Sequence, residues 1–204
     1  MLKRKKIWLI LLYVFSVFLA VPSLKADAAP AKKKAAKAYK EFLAKDKIPW
    51  DANWEVPAKE CKFSLIYIDK DNIPELVLYN NSVPHMGGYC RIFTYKNGKV
   101  TRVGTADMDG GKFYYYKKKG VFISCYVTGG VFDNYRKVTK GKIVHKLQKG
   151  KTLFDNKTRY YNSNRKEISK SAFNRQLKKL VGSKKKTSAR FYPNTPAIRK
   201  KRCR

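Results

Sequence analysis

The densest chemistry in the chain lies between Phe63 and Tyr79, FSLIYIDKDNIPELVLY. An apolar run breaks at Asp69-Lys70-Asp71-Asn72, passes through Ile73-Pro74 and resumes at Glu75-Leu76. Alternate Asp residues in a tight loop turn their carboxylates toward a common centre, and a carboxylate a few residues on closes an oxygen shell around a hard cation. Asp69, Asp71 and Glu75 are therefore the candidate ligands of a calcium ion. The same residues also have a purely structural reading, in which Asp side chains cap backbone amides two positions on and so stabilise a turn.

Two further loops hold titratable groups. His85-Met86-Gly87-Gly88 is one, and Asp107, Asp109 and Gly110-Gly111 form the other, with Asp133 as an additional carboxylate. Loops around Asp69, His85 and Asp107 could supply a general acid and base, so an extracellular hydrolase is one alternative function. No catalytic residue is assigned, because there is no nucleophile elbow, no helical H-E-x-x-H and no phosphate-cradling glycine loop. Two histidines and no C-x-x-C spacing also argue against a zinc cluster.

Charge dominates the composition. Lys and Arg number 47 against 14 acids, a formal charge of +33. Lys3 to Lys6 precede the apolar run Ile7 to Val21, and Ala26-Asp27-Ala28 offers small residues for cleavage before Ala29. Residues 1–28 thus read as a secretory signal peptide, and fifteen apolar residues fall short of the roughly 20 needed to span a bilayer. Their removal takes away five basic residues and one acid and leaves +29. Such a charge favours an anionic neighbourhood. For an exported chain that means an anionic cell-wall polymer, an acidic polysaccharide or a membrane surface. Nucleic acid would be bound only non-specifically, through basic and aromatic residues such as KFYYYKKK at Lys112 to Lys119. The densest basic clusters are Lys117, Lys118 and Lys119, then Lys184, Lys185 and Lys186, then Lys200, Lys201 and Arg202. Cys61, Cys90, Cys125 and Cys203 permit a disulfide framework in an oxidising compartment. Cys90 with Cys125, both in strand-like runs, is the first pairing to test.

The elements that must position these residues are mostly strands. Runs at Lys62 to Ile68, Glu75 to Tyr79, Tyr89 to Tyr95, Lys99 to Thr105 and Lys112 to Lys117 are β-branched and aromatic, as are Val121 to Val127, Val131 to Val138, Lys142 to Leu147 and Thr158 to Tyr161. Asn97-Gly98 tolerates the positive φ angles of a type I′ hairpin turn. Short connections of this kind demand antiparallel pairing. Ala31 to Asp46 carries Tyr39, Phe42 and Leu43 at helical spacing, and Pro49 to Pro57, with Trp50 and Trp54, reads as a loop. A second helix follows Ser169, its N-cap, with Ile168 and Phe173 as hydrophobic staple and Gly182 as stop.

The acidic loop resembles the D-x-D-x-D-G-x-x-E-L loops of calcium-binding repeats of the FG-GAP and VCBS kind. More closely, Tyr67 to Leu78, Tyr95 to Val100 and Glu167 to Leu177 are similar to a set of uncharacterised exported proteins of Gram-positive bacteria. The resemblance implies secretion and a compact α+β domain, and no activity. Here Tyr67 stands where the first Asp would be, and Asn72 replaces the Gly, a left-handed position that Asn adopts most readily after Gly. The missing ligand and Lys70 inside the loop both lower the expected affinity for calcium.

The sequence therefore predicts an α+β fold: an antiparallel β-meander of hairpins flanked by an N-terminal and a C-terminal helix. Its organisation is a signal peptide over 1–28, one domain over 29–182 and a basic, flexible tail over 183–204. The expected function is binding to an anionic extracellular polymer or surface. A hydrolase, or a protein-interaction or inhibitor module presenting its hairpin loops, are the alternatives.

Overall fold

A computed structural model of the chain describes residues 28–204 except 52, 81, 83–88, 109–111, 128 and 140, so most of the expected signal peptide lies outside the described residues. Helix α1 (Ala28–Leu43) leads into a hairpin, β1 (Lys47–Asp51) and β2 (Trp54–Pro57), and a single turn of 3-10 helix. Strands β3 (Lys62–Ile66), β4 (Glu75–Asn80), β5 (Tyr89–Lys96) and β6 (Lys99–Asp107) follow as one antiparallel meander. A second meander comprises β7 (Tyr114–Tyr116), β8 (Val121–Val127), β9 (Gly130–Thr139), β10 (Lys142–Thr152), β11 (Thr158–Tyr161) and β12 (Glu167–Ile168). Helix α2 (Lys170–Val181), β13 (Thr187–Ser188), β14 (Tyr192–Pro193) and α3 (Pro196–Arg202) complete the chain.

The α+β meander is thus the observed architecture, but it is folded into two stacked sheets. The alternating sides of each strand show why. Leu76 and Leu78 of β4 pack with Tyr39 and Leu43 of α1, while Val77 between them packs with Ile92, Phe113 and Phe122 of the inter-sheet core. On β8, Phe122 enters that same core, and Val121 and Ile123 face Phe173 and Val181 of α2. Both sheets are therefore covered on both faces, which gives four layers: α1, the five-stranded sheet, the seven-stranded sheet and α2. Strands buried on both faces read as continuous apolar runs, such as ELVLY and VFISCYV.

Local signals hold where they were strongest. Asn97 and Gly98 both have positive φ, 51° and 77°. Ser169 caps α2 by accepting the Ala172 N–H at 3.2 Å, and Gly182 ends it at φ 60°.

Three expectations are corrected. Pro49 to Pro57 is no loop: its residues pair as β1 and β2, with Trp50 fully buried and Trp54 exposed. Cys90 and Cys125 form no bridge. All four cysteines are buried without a disulfide, Cys90 against Met108 in the inter-sheet core and Cys125 donating its thiol hydrogen to Asp133. Burial pushes the Cys61 thiol up to about 12 and Cys203 up to about 11, so both stay protonated and unreactive.

The third correction concerns the C-terminus. Residues 183–204, expected to be a flexible tail, clasp the domain. β13 adds to β7 at the edge of the larger sheet, β14 adds to β3 at the edge of the smaller one, and α3 lies against α1. Asn194, buried at the start of α3, donates to Leu43 O and Ala58 O, both at 2.9 Å. The charge of this segment hid its few anchoring residues, Phe191, Asn194, Ile198 and Cys203.

Candidate functional site

The acidic loop forms between β3 and β4 as its residue types require. The Asp69 carboxylate accepts the Asp71 N–H at 3.0 Å and the Asp71 carboxylate accepts the Ile73 N–H at 2.8 Å, two successive Asx turns. Asn72 takes the left-handed conformation, φ 65°. Tyr39 of α1 donates its hydroxyl to Pro74 O at 2.9 Å and ties the loop to the helix layer. These contacts bring Asp69, Asp71 and Glu75 together, with one oxygen from each within 4.8 Å of the others, on the wall of a cavity of about 450 Å³.

Glu75 is the unusual member. It is 1% exposed, and its Oε2 accepts the Ile68 N–H at 2.7 Å, while Oε1 is buried with no hydrogen-bond partner. Burial, then the charges of Asp69 and Asp71, pushes its carboxyl up to about 8. Partial desolvation, and then Asp69, raises Asp71 to about 6, although its open position weakens that effect. The Tyr67 carbonyl accepts the Lys118 N–H. The Lys118 ammonium donates to Asn72 at 2.5 Å, a cation at the rim of the loop.

The residues considered for hydrolysis are not assembled with this loop. Ile66 pairs with Glu75 at one end of β4, whereas Asn80 at its other end pairs with Tyr89, which in turn pairs with Asp107. The loops of Asp69 and Asp107 therefore sit at opposite ends of the five-stranded sheet. Asp107 is engaged by Ser124, whose hydroxyl donates to its carboxylate at 3.0 Å. His85 and Asp109 lie outside the described residues.

The C-terminal clasp creates a different site. A cavity of about 530 Å³ opens where β14 and α3 meet β3 and α1. Its wall carries Lys32, Arg190, Arg202 and Arg204 and no Asp or Glu side chain, over an aromatic floor that includes Phe63, Tyr67, Tyr115 and Tyr192. Arg202 lies 3.8 Å and Arg190 5.3 Å from the Tyr192 ring centroid, so both guanidinium groups are held on one aromatic side chain. Among the described residues, none of the four cations forms an ion pair with a carboxylate. Lys32, Ala36 and Arg204 also line a second groove of about 570 Å³, with Lys33, Lys37 and Lys40 along α1.

Of the nine basic residues expected to bind a polyanion, Arg202 alone is among those lining this cleft. Pairing of β13 with β7 places Lys184, Lys185 and Lys186 beside the β7–β8 turn that holds Lys117, Lys118 and Lys119. The Lys186 ammonium sits 4.4 Å from the Tyr114 ring centroid, and Lys119 reaches Gly182. Arg202 lines the cleft itself, while Lys200 and Lys201 are exposed on α3. Sequence reasoning missed Lys32, Arg190 and Arg204. The Arg190-Phe191-Tyr192 alternation was the available signal, and its strand pairing was not legible.

A fourth cavity, about 370 Å³, is lined by Tyr126, Asn134, Arg136, His145, Gln148 and Arg165 on the seven-stranded sheet. Burial, reinforced by Arg165 and Arg136, lowers the pKa of His145.

Fold and site together define an antiparallel α+β domain with a cation-lined cleft that no Asp or Glu side chain enters. In comparisons with protein-family models, curated proteins and solved structures, nothing matches the chain.

Proposed function

We propose that the protein is exported and binds an anionic extracellular polymer, holding the polymer's charged groups in the cleft beneath Tyr192. The observation that supports this reading most directly is the set of four cations without acidic partners, two of them stacked on one ring. Removing such groups from self-repulsion is itself a driving force for binding a polyanion. The two Lys triplets and the α1 groove extend the same potential beyond the cleft, so successive charges of one chain have somewhere to go.

The reading is tested by retention on a polyphosphate resin as a function of salt. Affinity is expected to fall linearly in log salt, and an Arg190→Gln/Arg202→Gln variant to reduce that slope by about two. Retention that is unchanged from low salt to about 0.5 M, where screening is nearly complete, would exclude the proposal.

A second reading is favoured by the orphaned Glu75 Oε1. An ionised carboxylate out of water needs a counter-charge, and calcium at Asp69, Asp71 and Glu75 would supply one. Three carboxylates provide only part of the roughly six to eight oxygens that calcium takes, with water completing the shell. Millimolar calcium is expected to raise the thermal midpoint relative to chelator at pH 8. An identical midpoint in the two buffers would retire the metal.

A further inference from the structure

We propose that the joined tips of the β8–β9 and β10–β11 hairpins dock the protein on a lipid bilayer bearing anionic headgroups. This inference stands apart from the polymer cleft and uses other residues. Of the six large apolar side chains left exposed among the described residues, four lie at this one place: Val127 at 43%, Val131 at 48%, Leu153 at 75% and Phe154 at 94%. Isolated exposed apolar residues are ordinary, whereas a cluster at one end of a sheet marks an interaction site.

The tips are built to present these side chains. Val127 pairs with Val131 across the β8–β9 hairpin, and the Leu153 N–H donates to Gly129 O at 3.0 Å, which locks the two tips together. Within the β10–β11 turn the Asp155 carboxylate accepts from the Thr152 hydroxyl at 2.6 Å, the Lys157 N–H at 3.1 Å and the Arg159 guanidinium. Its charge is thereby balanced inside the turn, and Leu153 and Phe154 are left to project from it.

Charge complementarity selects the partner. Val131 is paired with Lys151 on β10, so Val127, Val131 and Lys151 stand in one row on one face of the sheet. Lys149 and Lys157 are exposed beside them. The remaining acid there, Asp133, accepts from the Cys125 thiol. An apolar tip collared by lysines matches the depth profile of an anionic bilayer, with acyl chains below and phosphates at the rim. A side chain 94% exposed on a hairpin tip meets little of a rigid protein surface but sinks wholly into a fluid one. No helix among the described residues is long and apolar enough to cross a membrane.

The test uses the chain from Ala29, which retains every residue of the three cores and lacks the apolar run Ile7 to Val21. Co-sedimentation is measured with vesicles of phosphatidylglycerol and phosphatidylcholine in equal parts and with phosphatidylcholine alone. Binding is expected to the mixed vesicles only. Leu153→Ser/Phe154→Ser should weaken it about tenfold or more while leaving polyphosphate retention and the thermal midpoint unchanged. Lys151→Glu should weaken it about fivefold. A Phe154→Trp variant should show a blue-shifted emission on adding mixed vesicles, beyond any change in the parent chain. Equal vesicle binding by parent and double variant, or no added shift from Trp at 154, would overturn the proposal. So would lipid-free self-association that the double variant abolishes, since the tip would then be a protein interface.

Discussion

An Asn194→Ala variant is expected to lose about 3 kcal/mol of folding stability, far more than its position in a lysine-rich C-terminal segment would lead one to expect. Asn194 is 4% exposed, and its amide donates to two backbone carbonyls, those of Leu43 and Ala58. Leu43 ends α1, so its carbonyl has no acceptor role left within the helix. The Asn194 side-chain oxygen in turn accepts from Arg199 at 3.0 Å, and its backbone N–H donates to Cys61 O. Alanine would leave the two buried carbonyls short of a donor, at roughly 1–3 kcal/mol each before any relaxation. Arg199, 3.4 Å from Leu43 O, can recover part of the loss. Urea unfolding of Asn194→Ala beside Lys200→Ala provides the comparison, since the exposed lysine should cost no more than about 0.5 kcal/mol. Equal midpoints for the two variants would refute the clasp. The consequence reaches function, because the clasp carries Arg190, Arg202 and Arg204. Loosening it should weaken polyanion retention and flatten its salt dependence, although Asn194 is not among the residues lining that cleft.

The second large effect is a stability that falls with rising pH in the absence of divalent cations. Glu75 has a folded pKa of about 8, above its unfolded value near 4.5. A raised folded pKa means that the folded state holds the proton more tightly. Its contribution is fully present below about pH 4.5 and is lost as pH rises through 8. The loss is on the order of 4 kcal/mol, or roughly 10 °C in thermal midpoint for a domain of this size. Asp71 acts in the same sense at lower pH, but its exposure leaves it a minor contributor. Glu75→Gln keeps the shape and the acceptor for the Ile68 N–H while removing the titration. In chelator it should match the parent near pH 5 and exceed it at pH 8.5. A parent midpoint that holds steady or climbs between those values would show that Glu75 is ionised within the fold at little cost.

Much of this architecture was legible because its signals are local. All nine strand runs read from β-branched and aromatic residues are strands, with boundaries displaced by a few residues. Asn72 and Asn97-Gly98 turn where left-handed conformations are required, and Ser169 and Gly182 delimit α2. The convergence of Asp69, Asp71 and Glu75 was also legible, since spacing within one loop settles it. The β1–β2 hairpin was not. Its two prolines and polar intervening residues mask a strand pairing that depends on burying Trp50 in the first core.

What was lost to inspection depends on contacts between distant segments. Asn194 and Leu43 are 151 positions apart, and no periodicity in a basic segment announces such a bond. The cleft exists only because β14 joins β3 and α3 meets α1, which gathers Lys32 with Arg190, Arg202 and Arg204. The apolar hairpin tip is likewise a product of register, since Val127, Val131 and Leu153 become neighbours through pairing. By itself the chain's order of residues determined its strands, turns, caps and excess charge, because each follows from dihedral preference and side-chain alternation within about ten residues. Only the tertiary structure decided that the meander would stack as two sheets, that Glu75 would be sealed from water, and which of many cations would face one another across a cavity. Those outcomes depend on which apolar faces cover one another, and that is decided by packing over the whole domain.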